Sequence, residues 1–198
     1  MRPKNLEKEA AIRSTALRMI AEGGLENLSM QQLAKAANIS PRTIYIKYEN
    51  KEDLLVKLFI DEVLGAYEKA ILAGFSPDMN FAEGVKKLWL NAFRYLKNNP
   101  HYFALIQNGK SSPLLNKAYK EANIKEGDFF GPIVQFFRIN VKKDIIVNFP
   151  FDVYKALLLS PMLELVNEYF DYKKRPKQII TEKVIIACCE AMIKGMMK

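Results

Sequence analysis

Leu28-Ser-Met-Gln-Gln-Leu-Ala-Lys-Ala-Ala-Asn-Ile39-Ser40-Pro41-Arg42-Thr43-Ile44-Tyr45-Ile46-Lys47-Tyr48-Glu49-Asn50-Lys51-Glu52-Asp53-Leu54-Leu55 is the stretch that decides the fold. It spells two short helices joined by a tight turn, then the start of a third. Ser29 suits an N-cap, and Gln32 three residues on completes a capping box. Leu33, Ala34 and Ala37 share one helical face. Asn38 ends that helix, because Asn tolerates the left-handed backbone at a helix terminus. Ser40 caps the next helix, and Pro41 stands at its first position, where a missing N–H costs nothing. Ile44 and Tyr48, four apart, face back onto Leu33, Ala37 and Ile39. Asn50 with Asp53 three residues later opens the third helix.

Arg42, Thr43, Tyr45 and Lys47 are left pointing outward. A small-residue elbow with an outward polar and cationic cluster has the design of a helix-turn-helix for the major groove. An ordinary helical hairpin with a solvated polar face has the same short pattern. Arg42 and Gln31 are the candidates for base edges, since Arg suits guanine and Gln suits adenine. Thr43 suits a phosphate or a thymine methyl.

The same stretch resembles the DNA-binding signature of the TetR family of bacterial transcriptional regulators. The residues that carry the resemblance are Ser29, Leu33, Ala34, Ala37, Asn38, Ile39, Ser40, Arg42, Thr43, Ile44, Tyr45, Lys47, Tyr48, Lys51 and Leu54. Asn38 stands where Gly is usual, Arg42 replaces a common Gly, and Lys47 a common Tyr or His. The last two add charge to the face that would meet DNA. They alter the expected operator rather than the binding class. The resemblance covers the first quarter of the chain and implies a DNA-binding set of Ser29, Gln31, Ser40, Pro41, Arg42, Thr43, Tyr45, Lys47, Tyr48 and Lys51. Within it Tyr45, Tyr48, Lys47 and Lys51 would grip phosphate. Lys51 also lies beside a helix N-terminus, which favours an anion. The spacing of Tyr48 from Ile44 gives it a core role as well.

The wider chain fits a DNA partner. Its 198 residues carry a net charge of +8, which favours a polyanionic partner or, equally, plain solubility. Residues 1–51 hold nine Lys/Arg and five Asp/Glu, so half the excess charge falls on a quarter of the length. A hydrophobic content of 49% with 26% charged residues indicates a folded protein. The N-terminus is charged and lacks an apolar signal core, and no apolar run approaches membrane-spanning length. The expectation is a cytoplasmic protein with no membrane partner. The adjacent pair Cys188-Cys189 offers no disulfide framework, and a single histidine, His101, leaves no metal-ligand spacing. No metal or cofactor is expected. No Ser/His/Asp set, phosphate loop or carboxylate cluster supports an enzyme. His101, after Asn99-Pro100, suits a cap or the surface. Cys188 and Cys189 sit in Ala-Cys-Cys-Glu-Ala, where a buried thiol acts as a small hydrophobe rather than a redox sensor.

Apolar periodicity predicts an all-α chain. Residues 5–22 form the first helix, stopped by Gly23-Gly24. A long helix runs from about Lys51 to Ala73. Further helices cover 80–98, 101–108, 113–123, about 127–143, 151–171 and 177–197. Pro161 should kink its helix or open a local gap in its hydrogen bonds. Lys173-Lys-Arg-Pro176 reads as a basic turn. Ile145-Ile-Val147 is strand-like but too short to overturn the helical pattern. The expected organisation is an N-terminal three-helix DNA-binding domain at 1–50 and a larger helical effector-binding and dimerisation domain at 51–198.

Aromatic and soft side chains gather between residues 89 and 169, and aromatic-lined clefts between helices are common ligand sites. Trp89, Phe93, Phe103, Gln107, Phe130, Phe137, Tyr154 and Met162 form the candidate ligand-binding set. Any one of them is more often plain core. That a pocket exists is implied by the family resemblance, and the scarcity of buried-looking charge points to a neutral or apolar effector. The last two long helices are apolar over more than one stripe, which calls for burial on several sides. The resemblance makes this a homodimer interface, with two heads about 34–36 Å apart on a near-palindromic operator of double-stranded DNA. The function expected is a ligand-responsive transcriptional repressor. The alternative is a helical small-molecule-binding protein without regulatory DNA binding.

Overall fold

The computed structural model describes residues 3–110, 112–113, 129–172 and 176–198. The chain is all-α, as its periodicity predicts. In chain order the helices are α1 (Pro3–Gly23), α2 (Met30–Ala36), α3 (Pro41–Lys47) and α4 (Lys51–Lys57). A π-helical segment, Leu58–Leu64, leads into α5 (Gly65–Ile71), followed by α6 (Phe81–Asn98) and α7 (Pro100–Lys110). After these come α8 (Gly131–Lys142), α9 (Phe151–Tyr154), a second π segment (Lys155–Leu159), α10 (Ser160–Tyr172) and α11 (Glu182–Met196). The helix expected at 113–123 and most of the basic turn expected at 173–176 lie outside the described residues.

Two compact units emerge. The first gathers the residues up to Gly65 together with α7. In it α1 packs on α2 and on α7, α2 on α3, and α7 also on the Leu58–Leu64 segment. Ile12, Ala16, Ile20, Leu33, Ile44, Leu54, Leu55 and Leu58 fill its centre, each essentially without exposure. These residues recur at three- and four-residue steps because only one stripe of each short helix can reach the common core. Gly24, at φ +78°, ends α1 in the left-handed conformation.

The second unit holds Ala66–Asn98 and the helices from α8 onward. Here α6 is the central rod, and α10 and α11 both pack on it. Phe81, Val85, Trp89, Ala92, Phe93 and Leu96 bury its apolar face. The exposed-side ion pair Arg94–Glu182, with N–O distances of 2.7 and 2.8 Å, joins α6 to α11. The strand-like run expected at 145–147 makes one antiparallel bridge, Ile146 to Met197. Val147 N–H donates to the Met196 carbonyl at 2.9 Å.

Three helices depart from their expected bounds, each for a local reason. The region expected as a helix from about 127 starts α8 only at Gly131, because Phe130 adopts φ +61°. The last helix begins at Glu182 rather than 177, where Thr181 Oγ1 caps the Val184 N–H. The expected Lys51–Ala73 helix is interrupted in register by the Leu58–Leu64 π segment. Pro161 has a related effect: the π segment Lys155–Leu159 directly precedes α10, which contains it. A wider turn lets the backbone pass the point where proline supplies no donor.

Candidate nucleic-acid interface

The geometry of α2, α3 and the turn between them follows from five short-range bonds. Ser29 Oγ accepts the Gln32 N–H at 3.2 Å and starts α2. Asn38 takes φ +53°, its N–H donating to Lys35 O at 3.2 Å while Ile39 N–H donates to Ala34 O at 2.9 Å. This pair of bonds is the Schellman closure, which satisfies the last carbonyls of a helix and turns the chain sharply. Ser40 Oγ then accepts the Thr43 N–H at 3.3 Å and contacts Thr43 Oγ1 at 2.9 Å. The Thr43 hydroxyl is therefore engaged at the start of α3. Pro41 occupies the first turn of α3, where its fixed φ is already helical.

Rotation along α3 divides its side chains. Ile44 is wholly buried and Tyr48 is 4% exposed, so these two anchor the helix. Tyr48 thus serves the core, with the Lys57 ammonium 5.6 Å from its ring centre. On the other face Pro41 and Arg42 are exposed, Tyr45 is 50% exposed and Ile46 is 76% exposed. Gln31, in the first turn of α2, is exposed as well. Ile46 was not among the predicted site residues. The signal for it was present: two residues past buried Ile44 is a rotation of about 200°, which places a side chain on the opposite face.

The three lysines near α3 differ in their engagement. Lys47 is ion-paired to Glu9 of α1. Lys51 donates to the Glu26 carbonyl at 2.9 Å, tying the start of α4 to the α1–α2 connection. Lys57 bonds Asp53 at 2.9 Å. Asn50 Oδ1 accepts the Asp53 N–H at 2.9 Å, so α4 begins with the cap its sequence announces. Glu9 was not singled out from sequence, because 38 residues separate it from Lys47 and no periodicity connects them.

The candidate ligand-binding residues are distributed over both units. Phe103 and Gln107 lie on α7 in the first. Trp89, Phe93, Phe130, Phe137, Tyr154 and Met162 lie in the second. Phe137 stacks on Tyr154 with ring centres 4.5 Å apart, and it also meets Phe136 at 5.6 Å. The Tyr154 hydroxyl donates to Val147 O at 2.5 Å and accepts the Phe149 N–H at 3.1 Å. Phe93 meets Tyr169 edge-on at 5.5 Å. Phe130, the bulky residue at positive φ, has its N–H held by Glu68 Oε1 at 2.5 Å. Trp89 borders a cleft of about 360 Å³ with Pro161, Glu164, Leu165, Glu168, Cys188, Ala191 and Met192. Its indole N–H is buried with no hydrogen-bond partner among the described residues.

Among the described residues no group of His, Cys, Asp and Glu is arranged to hold a metal ion. None of the described helices is long and apolar enough to cross a membrane. Burial pushes the Cys189 thiol up to about 12.

Comparison with known proteins supports the geometry. Residues 12–58 match the family model described as bacterial regulatory proteins of the tetR family. A Haemophilus influenzae protein described as an uncharacterized HTH-type transcriptional regulator is 27% identical over 187 residues, 93% of this chain and 95% of that protein. The fatty acid metabolism regulator protein of Bacillus subtilis is 36% identical over 62 residues, 31% of this chain and 30% of that protein. In fold, the chain is similar to a TetR family transcription regulator from Marinobacter aquaeolei. The TM-score is 0.77 at 24% identity, with 100% of each chain covered. The capped, outward-facing α3 lies within the matched stretch: residues 12–58 form a helix-turn-helix head of the tetR family type.

Proposed function

We propose that this regulator is a cytoplasmic homodimeric repressor that α3 seats in the major groove of a near-palindromic operator and that a small-molecule effector releases. The observation that carries the DNA assignment is the outward face of α3, where Arg42 and half-exposed Tyr45 stand clear while Ile44 and Tyr48 lock the helix from behind. Arg42 and Gln31 read base edges, and Tyr45 meets the backbone. Ser29, Ser40, Pro41 and Thr43 position the two helices, Lys51 stands at the phosphate-facing edge, and Lys47 is engaged by Glu9 of α1 instead. No catalytic step belongs to this function.

The division of labour follows the chain: residues 1–50 bind DNA, and 51–198 receive the effector and the second subunit. Dimerisation uses the last two long helices. Leu159 is 38% exposed just before α10, and Ala187 and Ala191 are exposed on α11, an apolar set suited to a matching helix pair. The effector is held by the aromatic set of the body. Linkage supplies the switch, since a ligand that favours one spacing of the two heads lowers affinity for DNA that requires another.

Selection of bound sequences from a random duplex pool tests the reading. A pseudo-palindromic consensus is expected, and Arg42→Ala should relax preference at one position per half-site by about 1–3 kcal/mol. A pool without enrichment would overturn it. Because the Bacillus subtilis relative is named a fatty acid metabolism regulator, acyl compounds head the effector panel, with release of the selected duplex as the readout.

A further inference from the structure

We infer that Glu9 is a positioning residue that withholds Lys47 from the DNA phosphates and so sets the balance between specific and non-specific binding. The inference rests on the DNA-binding role proposed above for α3. That helix carries two cations, Arg42 and Lys47, five residues apart. Arg42 stands exposed, with no ion pair or hydrogen bond among the described residues. Lys47 instead reaches α1, where its ammonium meets Glu9 Oε2.

The other oxygen of the same carboxylate, Oε1, holds Arg13 at 3.2 Å. Glu9 and Lys47 side chains are only 17% and 29% exposed, so the pair is partly shielded from water and salt. It also bridges α1 to the last residue of α3, adding to the Lys57 ammonium that reaches the Lys47 carbonyl at 3.4 Å. Both contacts hold the C-terminal end of α3 to the body of the head.

The consequence is electrostatic. Each cation that neutralises a phosphate releases counterions, steepens the salt dependence by about 0.9 per contact and adds affinity for any sequence. A lysine already neutralised by a carboxylate adds little of this sequence-independent term. Arg42 remains the cation that α3 offers, at the end where base edges are read. Glu9 therefore trades general grip for discrimination.

The test uses the full-length protein with Glu9→Gln, Lys47→Ala, the double variant and Arg42→Ala, each checked for native melting temperature. Binding to the selected operator and to a scrambled duplex of equal length is measured from 50 to 200 mM salt. Glu9→Gln keeps the side chain's size and frees Lys47. The log–log salt slope should steepen by about 0.9 on both duplexes, about a threefold larger loss of affinity across that salt range. Lys47→Ala alone should leave the slope within error of the parent, and the double variant should return to it. A merely structural clamp would lower the melting temperature without steepening the slope.

An unchanged slope in Glu9→Gln, or a shallower slope in Lys47→Ala, overturns the inference. If Arg42→Ala still relaxes sequence preference in that event, the DNA assignment stands and only the role of Glu9 falls. If the parent protein fails to distinguish operator from scrambled duplex, it is the DNA assignment that has failed.

Discussion

Gly84 is the residue whose replacement the packing forbids most directly. A Cβ there would lie 2.7 Å from Phe136 Cζ and 2.8 Å from Cε2. The Phe136 ring cannot swing aside, because Phe75, Phe81 and Phe137 hold it at centre distances of 5.2, 5.5 and 5.6 Å. Gly84→Ala should therefore destabilise by about 1–3 kcal/mol from overpacking. The gain in helix propensity, about 1 kcal/mol, only partly offsets this. Urea denaturation measures it. Cys189 carries a second residue-scale prediction. Its side chain is fully buried, and burial raises the thiol from its ordinary 9.0 to about 12. The folded state then disfavours the thiolate that the unfolded chain forms freely. Stability from this site is complete below pH 9 and is lost progressively as pH rises toward 12. Burial also raises the Tyr67 hydroxyl and adds to the same alkaline loss. Denaturation at pH 7 and pH 10 should show the decline, and iodoacetamide at pH 8 should label Cys189 only after unfolding.

At the scale of elements, caps and engaged hydroxyls govern where helices start and which loops they hold. Ser40→Ala removes the oxygen that accepts the Thr43 N–H and orients the Thr43 hydroxyl. A loss of about 1 kcal/mol is expected. Operator affinity should fall with it, because α3 is only seven residues long and depends on its cap. Tyr154, proposed as a ligand contact, also has a bonding role within the chain. Its hydroxyl ties the Val147–Phe149 stretch to α9 through two bonds. Tyr154→Phe should cost about 1–3 kcal/mol by leaving those backbone groups unpaired. A thermal melt in the absence of ligand would reveal it. An unchanged melting temperature would mean that the two bonds do not hold this stretch in place. The two π segments, Leu58–Leu64 and Lys155–Leu159, show a shared limit of periodicity. Apolar spacing recognises a helix but hardly distinguishes a tight turn from a wide one, since both keep roughly one face inward.

For the whole molecule, the proposed function requires a second copy. The cleft beside Trp89 brings Glu164 and Glu168 of α10 together with Ala191 of α11. Ala191→Glu would add a third carboxylate there, and across the proposed twofold interface the repulsion would double. Sedimentation should shift from dimer to monomer at micromolar concentration, and operator affinity should fall with it. A dimer that survives the change would move the interface elsewhere.

Local chemistry marks out the elements of the head: Ser29, Asn38, Ser40, Pro41 and Asn50 set its caps and turn, and each acts through neighbours within about five residues. It also fixes the helical class and, on α3, the outward placing of Arg42 and Tyr45 for the same reason, since rotation along a helix is local. Contacts between distant segments were not legible in this way. The packing of α7 on α1, the Glu9–Lys47 pair and the closeness of Phe136 to Gly84 join residues 38 or more positions apart. No helical period spans such a distance, so these contacts are settled by which apolar faces and opposite charges meet when the helices pack.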